Sequence, residues 1–247
     1  MSEQIFAIGD VHGCFETLEQ LLTKWNADNE QLIFIGDLID RGEQSREVVQ
    51  LAMKLSTDYG AVVIGGNHED LLLEWLDGPM QHASFYYAVG GKETLASFFS
   101  RKLVQSLSPE ELAEKLQNEH PNEIKFLRSL PDYVEYKHHI FVHAGINLNL
   151  SNWKNSGRQF FRSIREPFHQ GVNKTGKTIV FGHTPTRRLH SDKRDDIWIS
   201  DCKTKIGIDG AAVYGGKLHG LQIKGKNTYQ VYSVDENLDM ITQSFQL

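Results

Sequence analysis

Leu32-Ile33-Phe34-Ile35-Gly36-Asp37-Leu38-Ile39-Asp40-Arg41-Gly42 is the stretch whose reading decides this chain. Four apolar residues run into a glycine and then into a carboxylate. A short apolar run bounded by glycine reads as a buried strand. Ligands and catalytic groups collect where such strands end. The same arrangement recurs on either side. Ile5-Phe6-Ala7-Ile8 runs into Gly9-Asp10-Val11-His12-Gly13, and Ala61-Val62-Val63-Ile64 into Gly65-Gly66-Asn67-His68-Glu69. Farther on, His139-Ile140-Phe141-Val142 runs into His143-Ala144-Gly145, and Thr178-Ile179-Val180-Phe181 into Gly182-His183-Thr184. Five strand ends of one kind specify a chemistry as well as a fold.

Helical patterns separate the first three strands. Leu18, Leu21, Leu22 and Trp25 share one helical face, as do Val48, Val49, Ala52 and Leu55, and Leu71 to Leu76 opens a third helix. This βαβαβα order predicts a parallel sheet with helices on its faces. From about residue 78 to 130 the strand signal lapses. Ser108-Pro109-Glu110-Glu111 is a capping box with proline at the first helical position, and residues 92–99 and 123–130 also read as helical. The stretch reads as a small helical insertion, a cap beside the site. Strands return at Tyr133 and continue around Trp198, Ile206, Val213, Leu218–Ile223 and Tyr229–Val234, with a hairpin turn at Lys224-Gly225-Lys226-Asn227. No repeat or linker divides the chain, so residues 1–247 read as one α/β domain.

Composition excludes little. At 247 residues, with 40% hydrophobic and 23% charged content, the chain is an ordinary globular protein. A net charge of -6 argues against dedicated nucleic-acid binding. Two cysteines, Cys14 and Cys202, offer no disulfide framework. No apolar run approaches the ~20 residues of a membrane span. The first strand follows the N-terminus almost directly, so no signal peptide is expected and the cytoplasm is the expected location.

The strand-end residues share a ligand chemistry. Asp10 and His12 lie two apart, where both face one side. An Asp with a neutral His suits manganese, iron or zinc. Asp37 follows the second strand and has two oxygens with which to bridge. Asn67 offers a neutral carbonyl oxygen, and His143 and His183 offer imidazoles. Six such ligands at strand ends point to a two-metal site, with an expected metal spacing of ~3.5–4 Å. Arg41, four past Asp37, has the planar guanidinium that grips a phosphate bidentately; paired with Asp40 in a local turn it is also a plain salt bridge. His68 follows Asn67 and is available for proton transfer, with Asp40 to fix its tautomer; its other reading is a further metal ligand.

The five motifs, in this order across residues 9–184, resemble the phosphoprotein phosphatase family of calcineurin-like metallophosphoesterases. The bacterial branch, which includes a phage protein phosphatase and symmetrical dinucleoside tetraphosphatases, is the most similar. The resemblance extends to Gly207-Ile208-Asp209-Gly210 and residues 212–218. It implies a sandwich of two central β-sheets flanked by helices. It also implies one ion held by Asp10, His12 and Asp37, and a second by Asp37, Asn67, His143 and His183. A water between two divalent ions, manganese first and iron or zinc as alternatives, is then the nucleophile. Arg41 is implied to bind the phosphate together with Asn67, and His68, paired with Asp40, to protonate the leaving oxygen. The family's second phosphate-binding arginine falls in Ser163-Ile164-Arg165-Glu166-Pro167-Phe168, which selects Arg165, with Arg158 and Arg162 as competitors. Gly182-His183-Thr184-Pro185 lacks the second histidine of the nuclease and cyclic-phosphodiesterase branches, and Glu43 stands where many relatives have proline.

The expected activity is metal-dependent phosphomonoester hydrolysis by a serine/threonine or dual-specificity protein phosphatase. The alternative is a bis(5'-nucleosyl)-tetraphosphatase, with the same motifs. The expected partner is a phosphorylated protein or a small phosphoester. Gly90-Gly91-Lys92-Glu93-Thr94-Leu95 resembles bacterial serine/threonine phosphatases and tilts the choice to phosphoproteins. Phe85, Tyr86 and Tyr87 are the candidates for a nucleoside wall, or for the insertion's own core. Gly171-Val-Asn-Lys-Thr-Gly176-Lys177-Thr178 fits the spacing of a nucleotide-binding loop, but a strand follows it where a helix is required, so it reads as a turn. Arg187, Arg188, Lys193 and Arg194 read as a solvated loop or a positive rim. His82, His138, His139 and His219 read as surface or hydrogen-bonded residues.

Overall fold

A computed structural model describes residues 4–247. In chain order the elements are β1 (Gln4–Ile8), α1 (Phe15–Leu22), β2 (Glu30–Phe34), α2 (Ser45–Tyr59), β3 (Val62–Val63) and α3 (Asn67–Asp77). Five helices follow: α4 (Pro79–Ala88), α5 (Gly91–Phe98), α6 (Arg101–Ser106), α7 (Pro109–Glu119) and α8 (Pro121–Arg128). The second part holds β4 (Tyr133–Tyr136), β5 (His139–Val142), α9 (Arg158–Ser163), α10 (Glu166–Gln170), β6 (Thr178–Phe181), β7 (Trp198–Ile199), β8 (Lys205–Gly207), β9 (Lys217–Ile223), β10 (Thr228–Asp235) and β11 (Met240–Gln246).

Two mixed sheets form the centre, as expected. One runs β11-β10-β9-β1-β2-β3 and the other β4-β5-β6-β8-β7. β1, β2 and β3 are parallel, as the βαβ pattern requires. Strand alternation assigns each apolar residue to a layer. Phe6, Ile8, Leu32 and Phe34 face the helices, whereas Ile5, Ala7, Ile33 and Ile35 meet Phe141, Val180 and Ile206 of the second sheet. Ile140, Val142, Ile179 and Phe181 point out the far side and are covered by Phe161 and Phe168 of α9 and α10. Both faces of the inner strands are thus buried, which is why they read as continuous apolar runs.

The insertion is larger than three helices and shares a core with the helical face. Leu112, Leu116, Ile124 and Leu127 belong to the same buried cluster as Val48, Leu72 and Trp75. The capping box is present: Glu111 N–H donates to Ser108 Oγ at 3.3 Å, and Ser108 N–H to Glu111 Oε2 at 2.8 Å. The hairpin closes with Lys224 N–H donating to Thr228 O. The segment at 171–177 is a turn leading into β6, held by Asn173. Two expectations differ. Val213 lies in a 3-10 turn, Ala212–Tyr214, because Ala211 and Gly215, both left-handed, reverse the chain on either side. β11 was not foreseen; it is an edge strand, mostly exposed, and carries no apolar run. Among the described residues no helix is long and apolar enough to cross a membrane.

Candidate dinuclear metal site

The ends of β1, β2, β3, β5 and β6 bring the motif residues together. The backbone there is under strain. Among the described residues ten non-glycine residues have positive φ, and five of them are His12, Asp37, Asp40, Arg41 and His183. Side chains seldom adopt this region, and it concentrates at functional sites. Gly36, at φ +99°, lets the strand turn where a Cβ would press on His143 Nδ1 at 2.9 Å. A Cβ at Gly182 would sit on Asp10 Oδ1.

Hydrogen bonds aim the imidazoles. His12 Nδ1 donates to Ile39 O at 2.7 Å and His143 Nδ1 to Ile35 O at 2.8 Å. Carbonyl partners fix the tautomer, so both Nε2 atoms present lone pairs inward, as on metal-binding histidines. Asp37 Oδ2 lies between them, 3.5 Å from His12 Nε2 and 3.4 Å from His143 Nε2. Its Oδ1 accepts His68 N–H at 3.0 Å. Asn67 Oδ1 is 2.7 Å from His183 Nδ1 and 3.2 Å from His143 Nε2. Asp10 Oδ2 accepts His183 N–H at 2.9 Å, while Asp10 Oδ1 and His183 Nε2 are buried without a hydrogen-bond partner. Two groups of three ligand atoms each lie within 4.8 Å: His12, Asp37 and His68, and Asp37, His143 and His183. Nitrogen and oxygen donors without thiolate fit borderline divalent ions.

The electrostatics agree. Burial, then the Asp209 carboxylate, push Asp10 well above the usual carboxylate range. Burial also pushes Asp209 up to about 6. At His143 burial opposes charge, yet Asp37, Asp10 and Glu69 outweigh it and push the imidazole up to about 9. This is a buried negative field that a cation relieves. Cys14 belongs to neither of these ligand groups, and burial pushes its thiol up to about 11.

A second group of contacts braces His68. Its Nδ1 meets Asp40 Oδ2 at 2.7 Å, and Asp40 is fully buried. Asp40 Oδ1 accepts from Tyr86 Oη at 3.1 Å and Thr94 Oγ1 at 2.6 Å. Both donors come from the insertion. Gly90 O accepts Arg41 N–H at 3.2 Å, so the Gly90–Leu95 segment carries the loop that holds Asp40 and Arg41. Burial opposes charge on His68, but Asp37 and Asp40 raise it above the ordinary imidazole value. Arg41 donates to His68 Nε2 at 2.6 Å and to His12 Nε2, and its guanidinium lies 5.4 Å over the Tyr214 ring. Glu69 braces the site from beneath without facing it. Its carboxylate accepts the Gly66, Asp37 and Leu38 N–H groups at 2.7, 3.0 and 2.8 Å and fixes both metal-facing loops. Tyr86 and Tyr87 pack with Trp75, and Phe85 is exposed.

The three candidate arginines separate clearly. Arg162 is buried and pairs with Asp70 at 2.5 Å and Asp132 at 3.0 Å. Arg158 pairs with Asp70 at 2.8 Å. Arg165 is exposed, has no ion pair among the described residues, and donates to Thr184 Oγ1 at 3.0 Å, one residue from His183.

This site and this two-sheet fold are those of metal-dependent phosphoesterases. The chain belongs to the calcineurin-like phosphoesterase family, whose model matches residues 4–216, and it is a hydrolase of that family. It is similar to the asymmetrical bis(5'-nucleosyl)-tetraphosphatase PrpE of Oceanobacillus iheyensis, 28% identical over 93% of this chain and 92% of that one. Among solved structures it shares the fold of a putative diadenosine tetraphosphatase (TM-score 0.61, 22% identity, 98% and 93% of the chains). It shares it also with a serine/threonine phosphatase of Saccharomyces cerevisiae (TM-score 0.52, 16% identity, 99% and 80%).

Proposed function

We propose that this chain hydrolyses bis(5'-nucleosyl) polyphosphates with two divalent ions, manganese first among them. The observation that carries the reading is similarity to the Oceanobacillus tetraphosphatase over 93% of this chain and 92% of that one. The asymmetrical cleavage in that relative's name is taken as the cleavage position.

Asp10, His12 and Asp37 would hold one ion, and Asp37, Asn67, His143 and His183 the other. Asp10 is assigned ahead of His68 because its buried Oδ1 has no partner, whereas His68 already has a carboxylate on one nitrogen and Arg41 on the other. When bound, the ions polarise phosphoryl oxygens and lower the pKa of a bound water towards neutrality. Arg41 and Arg165 orient the phosphate, joined by Asn67. Turned onto a phosphate, Arg41 leaves His68 Nε2 free to carry a proton to the leaving oxygen, with Nδ1 held by Asp40.

The phosphoprotein reading rested on Gly90–Leu95. That segment braces Asp40 and Arg41, which either substrate requires, so it does not discriminate. A side-by-side assay decides. We expect kcat/KM for diadenosine tetraphosphate at least ~10-fold above the best phosphoserine or phosphothreonine peptide, with AMP and ATP as products. The reverse order would restore the phosphoprotein reading. Activity should vanish with a chelator and return with manganese. Asp37→Asn should lose bound metal and turnover together.

A further inference from the structure

Arg165 immediately precedes α10 and reaches back to Thr184 beside His183. Beyond it, α10, the turn after His183 and β7 enclose an open cavity of about 480 Å3. That volume falls within the range of small-molecule sites. Arg188 stands on its rim. In the basic stretch after His183, Arg187 pairs with Asp195 and Arg194 with Asp192, while Arg188 is exposed and has no ion pair among the described residues. Burial and the like charge of Arg188 lower the proton affinity of Arg165, which places the two guanidinium groups in one field.

Besides Arg188 the lining is mixed, with the carboxylates of Glu166 and Asp201 as well as aromatic and apolar groups. Trp198 offers a half-buried indole, set edge-on against Phe181 (6.0 Å, 78°) and His169 (6.5 Å, 66°). Leu189 and Val172, the latter 68% exposed, add apolar wall. Lys205 also lines the cavity, but its Nζ donates to the carbonyls of Phe168, His169 and Gly171 at 2.7 Å each, so its donors are committed. Arg188 and Trp198 thus line one cavity, which α10 borders and which Arg165 adjoins at the start of that helix. A half-buried indole beside apolar side chains is the kind of group on which a nucleobase packs.

We propose that this cavity binds one nucleoside of the substrate, with Trp198 stacking the base and Arg188 taking a phosphate between it and the reacting one. The inference rests on the bis-nucleosyl polyphosphate reading and names where one nucleoside sits. The test titrates ATP and inorganic tripolyphosphate, each in EDTA, into the full-length chain by calorimetry. ATP should bind at least ~10-fold more tightly, and Trp198→Ala should remove that preference. Arg188→Glu should weaken both ligands. The ratio of kcat/KM for diadenosine tetraphosphate to that for p-nitrophenyl phosphate should fall at least ~10-fold in Trp198→Ala. Should Trp198→Ala fail to fold, Val172→Glu on the exposed wall carries the same expectations. Equal affinity for ATP and tripolyphosphate, or a preference undiminished in a folded variant, overturns the nucleoside site. If the wild type does not hydrolyse diadenosine tetraphosphate, the functional reading fails, and the ATP titration judges the cavity by itself.

Discussion

On the six-stranded sheet, Asp37, Asp40 and His68 are at most 2% exposed, and each is held by bonds from distant elements. On the five-stranded side, Arg165 and Arg188 are exposed and hold one side-chain hydrogen bond or none among the described residues. The first half buries its proton-transfer groups beneath a helical insertion; the second presents these arginines from short helices and turns. Chemistry that needs a fixed proton path suits the first arrangement. Recognition of a long, flexible polyphosphate suits the second.

The sharpest test of that division is His68→Asn. It should retain both metals and lose ~10²–10⁴ in kcat on a phosphoserine peptide, whose alkoxide must be protonated. The loss on diadenosine tetraphosphate should be smaller, because a nucleotide is a better leaving group. Equal losses on the two substrates would mean that His68 does not act as the acid.

Next comes the pair Arg165→Ala and Arg162→Ala. The first should lower kcat/KM by about 10² with the thermal midpoint preserved. The second should cost on the order of 3 kcal/mol of stability, because it removes a buried guanidinium that joins Asp70 and Asp132 to the Gly66 and Leu130 carbonyls. Urea unfolding alongside kinetics separates them, and an exchange of the two phenotypes would reverse the arginine assignment.

Tyr86→Phe removes one hydroxyl from Asp40. As a positioning residue it should lower kcat by ~10-fold on poor leaving groups and much less on good ones, following His68. A uniform loss across leaving groups would show that Tyr86 serves packing alone.

The smallest effect concerns acid stability. Burial holds His139 and His219 down to about 4, one in each sheet. Their folded pKa values lie below the ordinary 6.5, so between those values the unfolded chain binds more protons. Stability should therefore fall as pH drops from 6.5 towards 4, each histidine adding a slope of about 1.4 kcal/mol per pH unit. Urea midpoints for wild type, His139→Gln and His219→Gln across that window measure it; variants with the wild-type slope would show that neither ring is held neutral.

The metal-facing residues were legible because each sits within a few residues of a strand end, where apolar run, glycine and ligand are adjacent in the chain. Their supports were not. Tyr86 and Thr94 lie 46 and 54 residues from Asp40 and carry no local signal of meeting it. Glu69 was visible as a letter in a motif, but its three amide partners exist only once β2 and α3 are side by side. Arg158, Arg162 and Arg165 share a short segment, and the choice between them turns on Asp70 and Asp132, supplied from elsewhere in the fold. β11 escaped notice because an exposed edge needs no apolar run.

The left-handed backbone at the site has an evolutionary consequence. Arg41, at φ +72°, and Asp40, at φ +71°, occupy conformations that glycine adopts freely. Such positions each hold of the order of 1–3 kcal/mol of strain. A drift to glycine at Arg41 would relax the loop and remove the phosphate grip in one step. The sturdier molecule would be the inert one, so mutational pressure towards stability and selection for turnover pull in opposite directions at this loop.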